Sequence, residues 1–530
     1  MFFLFKLYKY MTYGLWVGLS LLIISLQACG GNSQKGEITF DDDKQFFLSG
    51  YKDIDKYYID DPDFQTISLA ALGKLSALDA NLSLEQKEGQ VVLKKTDTIL
   101  LEDKIPGTHK EDKWASLTTK AFMAMYENSS VLQKMPREDL YEIAYSGIMT
   151  KLDPYSHYAS ALIAADNRAS RDGFGGIGVK ISVQNGMTKI VSVMHYTPAE
   201  RAGLKINDVI LEIDGIPINN LKNHEIIRKL RGSIDSNVTL KIQRPFPENI
   251  FEVKLRRMLV IPETVSYKRQ DDIGYIHIYN FNLETTESLL RAIYAVKNEN
   301  QKPLKGIVLD VRSNPGGLLD QAVSVADLFL NSGVIVSTRG RHPDSYQKFE
   351  ATKGDILDGL PIVVLINGNS ASAAEIVAAA LQDNKRAVVI GTNSYGKGTV
   401  QTVLTLPNQG ELILTWAKFH APSGYSLNNL GVLPAVCIRN SAQNIDQTAF
   451  DLKTGKLLSS PLYARSLLLS SDQTSLIKLR NLCPGRPLEL ETDVKMAEKI
   501  ISDVSLYEIG LSLNKSINLG NANLVINTQN

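Results

Sequence analysis

Residues 362–382 read Ile-Val-Val-Leu-Ile-Asn-Gly-Asn-Ser-Ala-Ser-Ala-Ala-Glu-Ile-Val-Ala-Ala-Ala-Leu-Gln. The first five form an unbroken apolar run, and Ala373 to Gln382 is rich in alanine, the strongest helix former. A strand buried on both faces that passes directly into a helix is half of a βαβ unit. Ser370 and Ser372 occupy the turn between them. A serine at a helix start is most simply an N-cap. On the residues alone, each of the two fits a cap and a nucleophile about equally.

Working outward, Ala387-Val388-Val389-Ile390 is a further apolar run, followed by Gly396-Lys397-Gly398-Thr399-Val400-Gln401. Upstream, Gly306-Ile307-Val308-Leu309-Asp310 precedes Asn314-Pro315-Gly316-Gly317, and Leu318 to Leu330 reads as helix. Apolar strands alternating with helices predict an α/β core of βαβ units over residues 257–440. Ligands in such sheets bind beyond the carboxyl ends of the strands. Ser372, Gly316-Gly317 and Lys397 all follow predicted strand ends, which points to one shared cleft. A serine hydroxyl is a weak nucleophile until a base takes its proton, and an amine with a depressed pKa can be that base. Burial depresses a lysine pKa, and Gly396, Gly398 and Val400 bring no counter-charge. The plain alternative is a solvated loop lysine.

Residues 172–256 read as a β-rich module. Gly176-Ile177-Gly178-Val179 leads into an alternating strand, and Asn185-Gly186 marks a hairpin turn. Leu221 to Leu230 is an amphipathic helix, with Ile226, Ile227 and Leu230 on its apolar side. These three fit either a ligand groove or the module's own core. Residues 37–168 read as helical, ending at Leu152-Asp153-Pro154-Tyr155-Ser156-His157-Tyr158, where Pro154 stops the helix. Residues 441–530 form a polar, partly helical extension with no readable motif.

Together these segments resemble the C-terminal processing peptidases, exported serine proteases with an embedded PDZ domain. The resemblance spans about residues 115–435. It is carried by Leu152-Asp153-Pro154, the β-rich module, Asp310-Val311-Arg312-Ser313-Asn314-Pro315-Gly316-Gly317, Ser370 to Glu375, Leu381-Gln382-Asp383 and Gly396-Lys397-Gly398. It implies a crotonase-like protease core with an inserted PDZ-like domain and a helical N-terminal region. It also separates the two serines. The family's base lysine follows its nucleophile by 25 residues and its motif aspartate by 11, which selects Ser372 with Lys397 and Asp383. Ser370 is then the cap and Asp383 an anchoring residue. Gln401 is expected to orient Lys397 by a hydrogen bond, and Arg312 to hold its loop by ion pairing. An oxyanion needs two preorganised N–H donors; Gly316 or Gly317 would supply one and Ala373 the other. In the PDZ-like module, Gly176, Ile177, Gly178 and Val179 would receive a peptide's terminal carboxylate, with Ile226 and Leu230 in the side-chain pocket. Ala435 stands where relatives usually carry an acidic residue, and the extension is longer than in minimal members.

At the N-terminus, Lys6 and Lys9 precede an apolar stretch that stops at Leu26-Gln27-Ala28-Cys29-Gly30. This reads as a signal peptide over residues 1–28, and the box resembles a bacterial lipobox with Cys29 as the acylated residue. An uncleaved anchor is the alternative, since Met11 to Ala28 carries no charge and just reaches spanning length. The expected place is the cell envelope, facing the periplasm. The residue after Cys29 is not Asp, which by resemblance to Gram-negative lipoproteins points to a lipid anchor in the outer membrane. Cys437 and Cys483 fit a disulfide and two separate buried thiols equally.

The chain has 530 residues and a formal net charge of zero, which argues against a nucleic-acid partner held by a basic surface. Its seven histidines show no metal spacing and no His-Glu-x-x-His, so no metal and no cofactor is expected. His157 and His195 read as surface or packing residues. The expected partners are proteins or peptides with free apolar C-termini, with a second copy of the chain or an adaptor left open. Two rivals are a catalytically silent PDZ scaffold and a crotonase-type enzyme acting on thioesters. The PDZ-like module and the placement of Lys397 favour peptide substrates.

Overall fold

The computed structural model describes residues 40–299, 302–352, 354–459 and 473–513. The signal segment 1–28 and Cys29 lie outside the described residues. The core is a six-stranded sheet in spatial order Val265–Gln270, Ile273–Ile278, Gly306–Asp310, Ile362–Ile366, Val388–Gly391, Val436–Cys437. The first pair is antiparallel and the others are parallel. All five residues of Ile362–Ile366 are buried. The two-residue period of a strand divides them between two cores. Ile362, Val364 and Ile366 pack into a cluster with the helices Thr285–Asn298, Leu319–Asp327 and Ala373–Asp383. Val363 and Leu365 pack into the opposite cluster, with the helices Ile445–Lys453, Glu491–Ser502 and Val504–Ser512. The apolar run is unbroken because neither face meets water.

The second layer in that region is therefore supplied by the C-terminal extension. Met496, Ala497 and Ile500 are fully buried against Val363, Leu365 and Ile390. Its polar composition hides one apolar stripe on each of three helices. Cys437 and Cys483 are joined as a disulfide, with Cα atoms 6.0 Å apart across 46 residues of sequence. Among the described residues no helix is long and apolar enough to cross a membrane.

An antiparallel sheet lies beside the core, in order Gln347–Glu350, Val334–Arg339, Glu411–His420, Thr399–Thr405. The N-terminal region adds the short strand His157–Ala159 to the Glu411–His420 strand. Leu406, Leu412 and Leu414 of this sheet share a hydrophobic cluster with the N-terminal helices. That region is less purely helical than its sequence suggests. Leu82–Lys87, Gln90–Lys95 and Thr98–Lys104 form a three-stranded meander. The overlooked signal is Glu88-Gly89, both at positive φ, +51° and +79°, a two-residue hairpin turn.

Within 172–256 the sheet order is Glu248–Arg256, Asn237–Pro245, Val209–Ile213, Met187–Val193, Val179–Gln184. Asn185 and Gly186 form the expected turn with φ of +51° and +74°. The strand Val179–Gln184 is left at the sheet edge, with unpaired backbone groups on its outer side.

If the extension is part of the core, Ile500→Ala should lower unfolding free energy by about 2–5 kcal/mol in a urea titration. An unchanged midpoint and slope would show that this helix contributes nothing to core stability.

Candidate active site

The helix Ala373–Asp383 begins beyond the carboxyl end of strand Ile362–Ile366, and Ser372 is its N-cap position. Ser372 has φ of +54° and ψ of −114°, a conformation that L-residues rarely hold. Its hydroxyl makes no capping hydrogen bond. Ser370, expected as the cap, does something else. It is fully buried, and its Oγ donates to Val311 O at 2.8 Å and accepts from Asn367 N at 3.0 Å. Ser370 thus ties the serine turn to the neighbouring strand end, because it points into the sheet rather than along the helix.

The turn is held in this conformation by Glu375, for which the sequence alone suggested no role. Glu375 is buried, and its carboxylate accepts four hydrogen bonds. Oε2 takes Ser372 N at 2.7 Å and Lys397 N at 3.0 Å. Oε1 takes Ser394 Oγ at 2.5 Å and Gly396 N at 2.7 Å. One carboxylate therefore fixes the backbones of both candidate catalytic residues. Burial raises its pKa, against the pull of its four donors. The pattern serine plus three to glutamate is a capping-box signature, which is the signal that could have found it.

Lys397 and Ser372 line one cavity of about 370 Å³. Burial draws the Lys397 amine below its ordinary range, while Glu375 and Asp153 pull it upward. The expectation of a site without counter-charge is thus corrected: two carboxylates approach, one from the serine helix and one from the N-terminal region. Asp153 is held by Tyr155 N, Ser156 N and Thr415 Oγ1 at 2.8, 3.1 and 2.9 Å. The turn it makes brings the Tyr155 ring 5.5 Å from Lys397 Nζ. No hydrogen bond joins Ser372 Oγ to Lys397 Nζ in this structure. Gln401 lines the cavity, and its Nε2 donates to Thr399 Oγ1 at 2.9 Å and Thr415 Oγ1 at 3.3 Å, while no hydrogen bond joins its Oε1 to Lys397 Nζ among the described residues. The two threonines are its neighbours in and across the ribbon.

The glycine pair divides its work. Gly316 N donates to Asn314 Oδ1 at 2.8 Å, so it is spent. A Cβ on Gly316 would stand 2.8 Å from Ser372 Cβ, so this glycine makes room for the serine turn. Gly317 has φ of +142°, and its Cβ would meet Phe281 O at 2.1 Å. The N–H groups of Gly317 and Ala373 have no acceptor among the described residues, and both residues line the cavity. Arg312 pairs with Asp310 and, across the extension, with Asp493 at 3.1 Å. Asp383 accepts from Ser423 N and Oγ at 3.1 and 2.6 Å, an anchoring role. His157 and His195 are exposed, the first bonded to Tyr155 O and the second to Glu200.

A second groove of about 190 Å³ runs between the edge strand Val179–Gln184 and the helix Asn223–Leu230. Gly176, Ile177, Gly178, Val179 and Leu230 line it. Ile226 does not: it is fully buried in the module core, and Ile227, one position round the helix, takes its place. The N–H groups of Ile177 and Gly178 have no acceptor among the described residues.

Residues 272–438 match the Peptidase family S41 model, and residues 189–244 match a PDZ domain. The chain is 44% identical over 303 residues to a "Carboxy-terminal-processing protease" of Bartonella bacilliformis, covering 57% of this chain and 70% of that one. It is 33% identical over 344 residues to a "Probable CtpA-like serine protease" of Staphylococcus aureus, covering 64% and 68%. A solved photosystem II D1 C-terminal processing protease matches at 23% identity and a TM-score of 0.38, covering 75% and 93%. The chain belongs to the carboxy-terminal-processing proteases of peptidase family S41, and is a serine-type peptidase.

Two outcomes follow from this site. If Lys397 is the base, it must be neutral to accept a proton, so kcat/KM should rise with pH through the Lys397 pKa, below the 10.5 of an ordinary lysine. A pH–rate profile flat from pH 5 to 10.5 would contradict this. Glu375→Gln puts an NH₂ group where only acceptors fit. It should lower kcat at least about tenfold and, by removing a negative charge, move that acid limb to lower pH. An unmoved limb would mean Glu375 is not felt at Lys397.

Proposed function

We propose that this member of peptidase family S41 is an exported, lipid-anchored endopeptidase that trims or degrades envelope proteins from their C-termini through a Ser372 ester. The observation that carries the reading is the Glu375 carboxylate, which bonds the backbones of Ser372 and Lys397 together at the mouth of one cavity.

In this mechanism neutral Lys397 takes the Ser372 proton as Oγ attacks the scissile carbonyl. The N–H groups of Gly317 and Ala373 receive the developing oxyanion, where preorganised donors are worth most. Lys397, now charged, gives its proton to the departing amine, and the C–N bond breaks to leave the acyl ester. A water then repeats the cycle from the other side, with Lys397 again the base. The resting gap between Oγ and Nζ is compatible with this, because catalytic hydrogen bonds often tighten only with substrate bound. Gln401 stands beside Lys397 and can turn its amide to it when Lys397 moves.

The PDZ groove supplies the substrate end. A free C-terminus adds as a strand beside Val179–Gln184, its carboxylate on the N–H groups of Ile177 and Gly178, its last side chain between Ile227 and Leu230. Two features support export. The Leu26-Gln27-Ala28-Cys29 box follows an apolar stretch, and the Cys437–Cys483 disulfide suits an oxidising compartment. Acylation of Cys29 would then anchor the enzyme to the outer membrane, facing the periplasm.

The test compares one apolar-ended peptide with free and amidated C-termini, on the native chain and on Ser372→Ala. Native enzyme should cleave the free peptide at least about tenfold faster in kcat/KM, and Ser372→Ala should cleave neither. Equal rates on the two peptides would reject carboxylate reading. Full turnover by Ser372→Ala would reject the nucleophile, and no turnover by the native chain would leave the silent scaffold.

A further inference from the structure

The loop that carries Lys397 has little to hold it in place by itself. It runs from Ser394 to Gly398 without regular structure and contains two glycines, with Gly396 at φ of +91°. Glu375 grips its inner side. Its outer side is gripped from the C-terminal extension. Arg480, in the helix Gln473–Leu482, donates from Nη2 to Tyr395 O at 2.8 Å and from Nη1 to Leu430 O at 3.0 Å and Asn429 O at 3.3 Å. Asn429 N in turn donates to Gly396 O at 2.9 Å. A Cβ on Gly396 would stand 2.9 Å from Arg480 Nη1, so the guanidinium occupies the space a side chain would need.

The base of this arginine is itself tied to the sheet. Asn393 Nδ2 donates to Arg480 O at 2.8 Å, and Asn393 N donates to Cys483 O at 3.3 Å. Cys483, fully buried three residues further on, is bonded to Cys437 on the last strand of the core sheet. Arg480 is not among the residues that line the cavity. Its planar fork fits several carbonyls at fixed angles, which a single ammonium cannot reproduce.

We propose that Arg480 is a positioning residue for Lys397: it clamps the Tyr395–Lys397 loop against the Asn429–Leu430 loop, and the Cys437–Cys483 disulfide holds the clamp at its working distance. The inference rests on reading Lys397 as the general base. A base must come within about 2.6–3.2 Å of the proton it takes, and displacement by about 1 Å can reduce turnover about a hundredfold. Arg480 holds the loop from outside the cavity lining, so the clamp acts on the chemical step and not on peptide binding.

The experiment measures kcat and KM on a cleavable peptide, with melting temperature, for Arg480→Met, Arg480→Lys, Cys437→Ser with Cys483→Ser, and Lys397→Ala. Arg480→Met should lower kcat at least about tenfold while KM stays within about twofold, with melting temperature moved by no more than a few degrees. Arg480→Lys should recover part of the loss, and the double serine variant should show the same split more weakly. A folded Arg480→Met with native kcat would overturn the proposal. So would a parallel loss of kcat and melting temperature that Arg480→Lys does not relieve, since that is a structural role only. Native turnover by Lys397→Ala would instead overturn the general-base reading itself.

Discussion

The catalytic half of this protein depends on one buried carboxylate. Serine and lysine lie 25 residues apart on separate loops, beyond two different strands, and nothing local brings them together. Glu375 does so by accepting from the backbone of both. A buried carboxylate must find donors for both oxygens or suffer a large desolvation penalty. Glu375 finds four, all on the two loops that need fixing. The requirement that stabilises the charge is thus the same one that assembles the site. The position also explains the unusual backbone of Ser372. With its N–H turned inward to Glu375, its hydroxyl is left unspent and faces the cavity.

The same carboxylate creates a tension at Lys397. The proposed mechanism needs an amine here that loses its proton easily, which burial favours and nearby negative charge opposes. Burial is the larger influence here, since the net direction is downward despite Glu375 and Asp153. The Tyr155 ring adds cover from the N-terminal region without adding a full charge. The lysine pocket is therefore composed from three parts of the chain: the serine helix, the N-terminal turn at Asp153, and its own glycine-flanked loop.

The C-terminal extension turns out to buttress the site. After Arg480 it crosses the carboxyl ends of successive core strands. Asn393 meets Cys483, Gly368 N donates to Arg486 O at 2.7 Å, Asn367 Nδ2 donates to Pro487 O at 3.1 Å, and Arg312 reaches Leu490 O and Asp493. Those strand ends carry the lysine loop, the serine turn and the glycine pair in that order. One segment thus bonds to the loops that carry all three. Its helices also complete the sheet's second hydrophobic layer, so folding of the core and support of the site are coupled.

Legibility differed by the range of the interaction. Ile362–Ile366, the Asn185-Gly186 turn and the helix after Ser372 follow from local pattern, because strand and helix periods and turn conformations are properties of neighbouring residues. The placement of Ser372 and Lys397 at strand ends was legible for the same reason, whereas the PDZ reading came from the family resemblance. Other assignments turned on direction rather than position. Ser370 points into the sheet, Ile226 points into the module core where Ile227 faces the groove, and Gln401 turns to its threonines. Asn314 consumes the N–H of Gly316 and leaves that of Gly317. None of these follows from spacing. By itself, the sequence determined which elements form and which loops carry chemistry, since those depend on contacts within a few residues. Only the tertiary structure decided that Glu375, Asp153 and Arg480 converge on Lys397, because a carboxylate or guanidinium finds its partners by distance in space, and those partners lie tens to hundreds of residues away along the chain.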